Sequence, residues 1–127
     1  MTTQTVINDF ISQKTFAIVG VSRSGNKYGN IVFHNLTARG YQVYPIHPEA
    51  DTLEGVPAYK DFVSLPEKVD GVIFVVPPPQ TEKMTHEAAA AGIKRIWMQP
   101  GAESDAAVRY CAENGIAEVH GECIMMH

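Results

Sequence analysis

Thr15-Phe16-Ala17-Ile18-Val19-Gly20-Val21-Ser22-Arg23-Ser24-Gly25-Asn26-Lys27-Tyr28-Gly29-Asn30-Ile31-Val32-Phe33 decides the fold of this chain. The first five residues form a short apolar run, rich in β-formers and bounded by Gly20, which predicts a buried strand. A polar turn follows, with glycines at 20, 25 and 29. Apolar positions then recur at Tyr28, Ile31, Val32 and Leu36, the spacing of a helix. Strand, glycine-rich turn and helix in this order present the unpaired N–H groups and partial positive charge of a helix N-terminus to a ligand. Such a turn is a phosphate site, and the pyrophosphate of a nucleotide suits it best. The spacing is not G-x-G-x-x-G, because Ser22 stands at the second glycine. The same residues also serve a plain βα turn, with Ser22 as a cap and Gly29 as a close helix-to-sheet contact.

Working outward, Val6, Ile7, Phe10 and Ile11 give residues 2–12 the pattern of a short amphipathic helix leading into the first strand. The helix from about Tyr28 is expected to stop at Arg39-Gly40. Gln42 to Ile46 reads as a second strand, closed by His47-Pro48. A dinucleotide-binding fold carries an acidic residue near this point for the ribose hydroxyls. Here Glu49 and Asp51 come only after the proline, which argues against NAD. His47 suits either a contact to a ligand or a structural turn.

Residues 51–66 read as loop, with a helical turn at 61–65. Asp70 to Val76 is the most apolar segment, expected as a central parallel strand buried on both faces. Pro77-Pro78-Pro79 follows and predicts a stiff extended wall at the carboxyl end of that strand. Gln80 to Ala91 has the pattern of a helix. Ile93 to Met98 is a fourth strand, ending at Gln99-Pro100-Gly101. Glu103 to Asn114 is a further helix, and Ile116 to His120 a fifth strand.

Five alternations of strand and helix predict an α/β, Rossmann-type, doubly wound five-stranded parallel sheet with helices on both faces. The turns at Gly20–Lys27, His47-Pro48, Pro77–Pro79 and Gln99–Gly101 then share one edge, where open α/β sheets bind ligands. A length of 127 residues suits a single domain, 1–127. A net charge of −4 without a basic tract argues against nucleic acid. No apolar run approaches a membrane span and no leader pattern is visible, so the expected setting is the cytoplasm, away from membranes. Cys111 and Cys123 form no disulfide framework, and the five histidines no metal spacing. Cys123 suits either a buried structural thiol or, beside a ligand thiol, a redox-active one.

At these turns the chain resembles the small single-domain CoA-binding proteins, which are similar to the N-terminal domain of the succinyl-CoA synthetase α-subunit. The resemblance rests on Val19-Gly20-Val21-Ser22-Arg23, Lys27-Tyr28-Gly29-Asn30, Tyr44-Pro45-Ile46-His47-Pro48, Val75-Val76-Pro77-Pro78-Pro79, Trp97-Met98-Gln99-Pro100-Gly101 and Glu122-Cys123-Ile124-Met125. This chain has His47 where the family usually has asparagine. The resemblance implies that coenzyme A is held across the carboxyl ends of the strands. Gly20, Val21, Ser22 and Arg23 would hold phosphates, with Lys27 and Tyr28 at the same mouth. His47 and Pro48, with Val76, Pro77 and Pro78, would line the adenosine and pantetheine path, and Gln99, Pro100 and Gly101 would close it. No catalytic triad or dyad is recognisable. The expected role is therefore CoA or acyl-CoA binding without catalysis by this chain alone. The alternatives are an accessory subunit of a CoA ligase that acts with a partner, and an NAD(P)-binding redox regulator. Oligomeric state is open.

Overall fold

A computed structural model describes residues 3–127. Thr2, the expected start of the first helix, lies outside the described residues. Five parallel strands form the main sheet: β1 (Thr15–Val19), β2 (Gln42–Ile46), β5 (Gly71–Phe74), β6 (Arg95–Met98) and β7 (Ala117–Val119). Their spatial order is β2-β1-β5-β6-β7. The chain leaves β1 toward one edge and returns to build the other, so the order reverses between β1 and β5. Loops at the carboxyl ends of these two strands diverge to opposite faces and leave a crevice.

Alternation along the strands divides the core. Phe16, Ile18, Ile73 and Trp97 face α1 (Thr3–Ile11) and α2 (Tyr28–Ala38), packing on Ile7, Phe10, Val32 and Leu36. Ala17, Val19, Val72, Phe74, Ile96 and Met98 face α3 (Pro78–Ala90) and α4 (Asp105–Glu113), packing on Ala88, Ala107 and Cys111. The inner strands β1, β5 and β6 are thus buried on both sides, which is why their sequences are near-continuously apolar rather than alternating. The expected doubly wound sheet with helices on both faces is what the chain forms.

Several boundaries differ. Val75 and Val76 leave the sheet, because the last rungs are Val75 N–H to the Val19 carbonyl (2.8 Å) and Gln99 N–H to that of Phe74 (3.0 Å). Of the three prolines only Pro77 is extended (φ −59°, ψ 150°); Pro78 and Pro79 open α3. A proline ring is tolerated in the first helical turn, where its missing N–H has no partner to lose. The expected helical turn at 61–65 is instead a bend held by Asp61, whose carboxylate accepts from Ser64 N–H at 2.9 Å. Within the presumed loop, β3 (Thr52–Leu53) and β4 (Val56–Pro57) form a hairpin. Its two-residue turn has Glu54 at φ 52° and Gly55 at φ 77°, the primed geometry that matches strand twist.

Candidate functional site

Two glycines set the shape of the β1–α2 turn. A Cβ on Gly20 would lie 2.2 Å from the Val75 carbonyl oxygen, and one on Gly29 would lie 2.1 Å from that of Gly20. The first glycine lets the turn pass against the chain leaving β5. The second lets the first turn of α2 close onto it. The close approach made here is backbone to backbone.

Asn30, only 1% exposed, braces the turn from below. Its Oδ1 accepts from Ser22 N–H at 3.0 Å and from Ser22 Oγ at 2.9 Å, while its Nδ2 donates to the Ser22 carbonyl at 2.9 Å. Ser22 is thereby committed to holding the loop. The main-chain N–H groups of Val21, Arg23, Ser24 and Gly25 make no hydrogen bond among the described residues. Four free donors thus lie on one short turn, beside a helix start with no side-chain cap, an arrangement whose chemistry suits an anion. The start of α3 is different. Pro78 and Pro79 have no N–H, and those of Gln80 and Thr81 bond back to the Pro77 carbonyl. The turn before α2 thus offers free main-chain donors that the start of α3 does not.

The crevice is a cavity of about 620 Å³ on the α3 side of the switch point. One wall is Val19 to Arg23. A second is Ile46, His47, Pro48 and Glu49 at the end of β2, with Lys60 beside them. The third is Val76 with the face of α3 carrying Gln80, Lys83, Met84 and Glu87. Half of the expected residues are gathered here: Gly20, Val21, Ser22, Arg23, His47, Pro48 and Val76. Lys27, Tyr28, Pro77, Pro78, Gln99, Pro100 and Gly101 do not line it. Lys60, Gln80 and Lys83 are additions. Gln80, Lys83, Met84 and Glu87 share one face of α3, a pattern legible in sequence only once α3 is known to begin at Pro78.

His47 resolves into a turn residue with a free edge. Its Nδ1 accepts from the N–H groups of Glu49 and Ala50, both at 3.0 Å. An asparagine oxygen makes the same turn, so histidine replaces it without loss of geometry. With Nδ1 an acceptor, the neutral ring carries its proton on Nε2.

Tyr28 and Gln99 belong to a second cluster. Gln99 is fully buried; its Oε1 accepts from Ile124 N–H at 2.7 Å, and its Nε2 donates to Tyr28 Oη at 3.0 Å and to Cys123 Sγ at 3.4 Å. Tyr28 Oη lies 3.2 Å from the same sulfur. Burial raises the Cys123 thiol pKa, but hydrogen bonds from Tyr28, Gln99 and the N–H groups of Met125 and Met126 outweigh it and leave it below the ordinary value. Burial, together with the sulfur, pushes Tyr28 up to about 12, so its hydroxyl stays a donor. Cys111, on the buried face of α4, is pushed up to about 12, mainly by burial. Pro100 and Gly101 form an exposed turn, in which Gly101 N–H donates to Glu103 Oε2 at 2.8 Å.

No helix among the described residues is long and apolar enough to cross a membrane. Comparison with known proteins agrees with the fold. The chain is 32% identical over 92 residues to the acetate–CoA ligase (ADP-forming) II subunit alpha of Pyrococcus furiosus, covering 72% of this chain and 20% of that one. It spans 12–20% of the length of the curated relatives it matches. A conserved hypothetical protein from Pyrococcus furiosus superposes with a TM-score of 0.84 at 40% identity, over 89% of this chain and 97% of that one. A hypothetical protein from Pyrococcus horikoshii gives 0.90 at 28% identity, over 99% and 89%. The sequence profile of the CoA binding domain matches residues 14–127. The chain belongs to the CoA binding domain family.

Proposed function

We propose that residues 1–127 act as one unit that binds coenzyme A, free or acylated, and perform no chemistry on it alone. The observation that carries this reading is the turn after β1. It has free N–H groups at Val21, Arg23, Ser24 and Gly25, and its residues Gly20 to Arg23 line the 620 Å³ cavity. A diphosphate matches this arrangement in charge and in donor number. In this reading Gly20, Val21, Ser22 and Arg23 surround the diphosphate. His47, Pro48 and Val76 line the path of the adenosine and the pantetheine arm. Tyr28 and Gln99 act at one remove, by fixing the C-terminal segment. Two unpaired cysteines fit the reducing cytoplasm.

Calorimetric titration with CoA tests the proposal, with Arg23→Glu as the variant. The wild type is expected to bind in the micromolar range. The variant is expected to bind at least tenfold more weakly with an unchanged melting temperature, since Arg23 is exposed and a like charge is placed beside the phosphates. Failure of the wild type to bind CoA overturns the reading. NAD titrated in the same way should not bind, because the end of β2 presents His47 where a ribose-binding acid belongs.

A second reading has specific support: the ADP-forming ligase relatives contain this unit as a minor part of a longer chain or as part of a subunit. In that case the chain serves as the CoA-holding piece of a ligase. CoA-dependent ADP formation that appears only when an ATP-binding partner chain is added supports this second role.

A further inference from the structure

We infer that Lys60 and Lys83 form a second anion position, separate from the turn, which receives the lone phosphomonoester of the bound nucleotide and selects 3′-phosphorylated ligands. The inference rests on the CoA reading above.

The position of Lys60 is fixed by main-chain bonds. Tyr59 runs parallel to Ile46, with His47 N–H bonded to the Tyr59 carbonyl at 2.8 Å and Tyr59 N–H to that of Pro45 at 3.0 Å. Residues 59–60 therefore stand beyond β2, on the side away from β1. Adjacent strands are about 4.8 Å apart, so Lys60 starts roughly 10 Å from the carboxyl end of β1, where the turn begins. A phosphate held by the turn and a phosphate held by Lys60 are different phosphates. Lys83 projects into the same cavity from α3, one helical turn beyond Gln80.

The charges are free to act. Arg23, Lys60 and Lys83 make no ion pair or side-chain hydrogen bond among the described residues. Glu49 and Glu87 also line the cavity, so cations outnumber carboxylates there by one, on a chain whose net charge is −4. One arginine at the turn and two lysines away from it match a ligand with a diphosphate and, about one nucleoside away, a dianionic phosphomonoester. A dinucleotide with an unsubstituted ribose diol lacks the second group.

The test is calorimetric titration of the wild type, Lys60→Ala, Lys83→Ala and the double variant with CoA and with 3′-dephospho-CoA, and Lys14→Ala as a surface control. The wild type is expected to bind CoA at least tenfold more tightly than dephospho-CoA, the scale of one charge-assisted contact. The double variant should bind both ligands at the dephospho-CoA level, and the control should match the wild type. Equal wild-type affinity for the two ligands overturns the inference while leaving the CoA reading intact. So does a double variant that weakens both ligands by the same factor. Absence of binding by either ligand overturns the CoA reading, and this inference with it.

Discussion

Replacing Asn30 with alanine tests how the turn between β1 and α2 is held. The side chain makes three hydrogen bonds, all to Ser22, at 2.9–3.0 Å. A net contribution of about 1 kcal/mol each gives a gross loss near 3 kcal/mol. Ser22 is only half-buried, so water recovers part of this, and the expected loss of unfolding free energy is about 2 kcal/mol. For a chain of 127 residues that lowers the melting temperature by about 8 °C. Urea denaturation reads the first quantity and calorimetry the second. The affinity consequence is separable. With its brace gone, the turn no longer holds the N–H groups of Val21 and Arg23 toward one point, so CoA binding should fall at least tenfold. Asn30→Asp is the informative companion. It keeps both contacts to Oδ1 but sets a carboxylate oxygen against the Ser22 carbonyl and a negative charge beneath the cradle, so binding should fall further than stability. An alanine variant within 0.5 kcal/mol of wild-type stability and with full affinity would refute the bracing argument.

Gly29→Ala should destabilise the protein, although alanine is the better helix former by about 1 kcal/mol, because its Cβ would fall 2.1 Å from the Gly20 carbonyl oxygen; a higher midpoint in urea would show that the helix shifts freely. His47→Asn should leave stability within about 0.5 kcal/mol, whereas His47→Ala, which removes the acceptor for Glu49 and Ala50, should lose about 1 kcal/mol. Cys123 should react with iodoacetamide in the native state with a pH midpoint below that of an ordinary cysteine, while Cys111 stays unreactive because burial pushes it up to about 12. The sign follows from the thiolate being favoured in the fold: the Cys123 contribution to stability is present above the unfolded pKa and lost as pH falls through the folded one. Tyr28→Phe removes one donor to the sulfur and should move the alkylation midpoint upward; an unmoved midpoint would discount that hydrogen bond.

Much of the architecture was legible in the chain because it is carried by local patterns. β1 and β2 occupy the expected residues, Thr15–Val19 and Gln42–Ile46, since a continuous apolar run between polar turns has few other ways to bury itself. Misplaced boundaries share one cause. A strand ends where its neighbour stops offering rungs, and that is a property of pairs, so Val75 and Val76 look like strand and are not. The Thr52–Pro57 hairpin went unseen because Glu54-Gly55 is a weaker primed-turn signal than Asn-Gly.

The candidate site divides in the same way. Gly20, Ser22 and Arg23 could be singled out because turn, helix start and cation are neighbours in sequence. Lys60 and Lys83 could not, because they reach the cavity from a segment laid beside β2 and from the face of α3. Gln99 shows the converse. Its place at a strand's carboxyl end marks it as a ligand contact, yet the folded chain turns its amide inward to Ile124, Tyr28 and Cys123. The sequence by itself determined the layers, the direction of the strands and the glycine-rich turn after β1, since each follows from periodicity and backbone chemistry within a few residues. Only the tertiary structure decided which side chains share the cavity and which are spent on the core, because that depends on strand order, register and the face each helix presents.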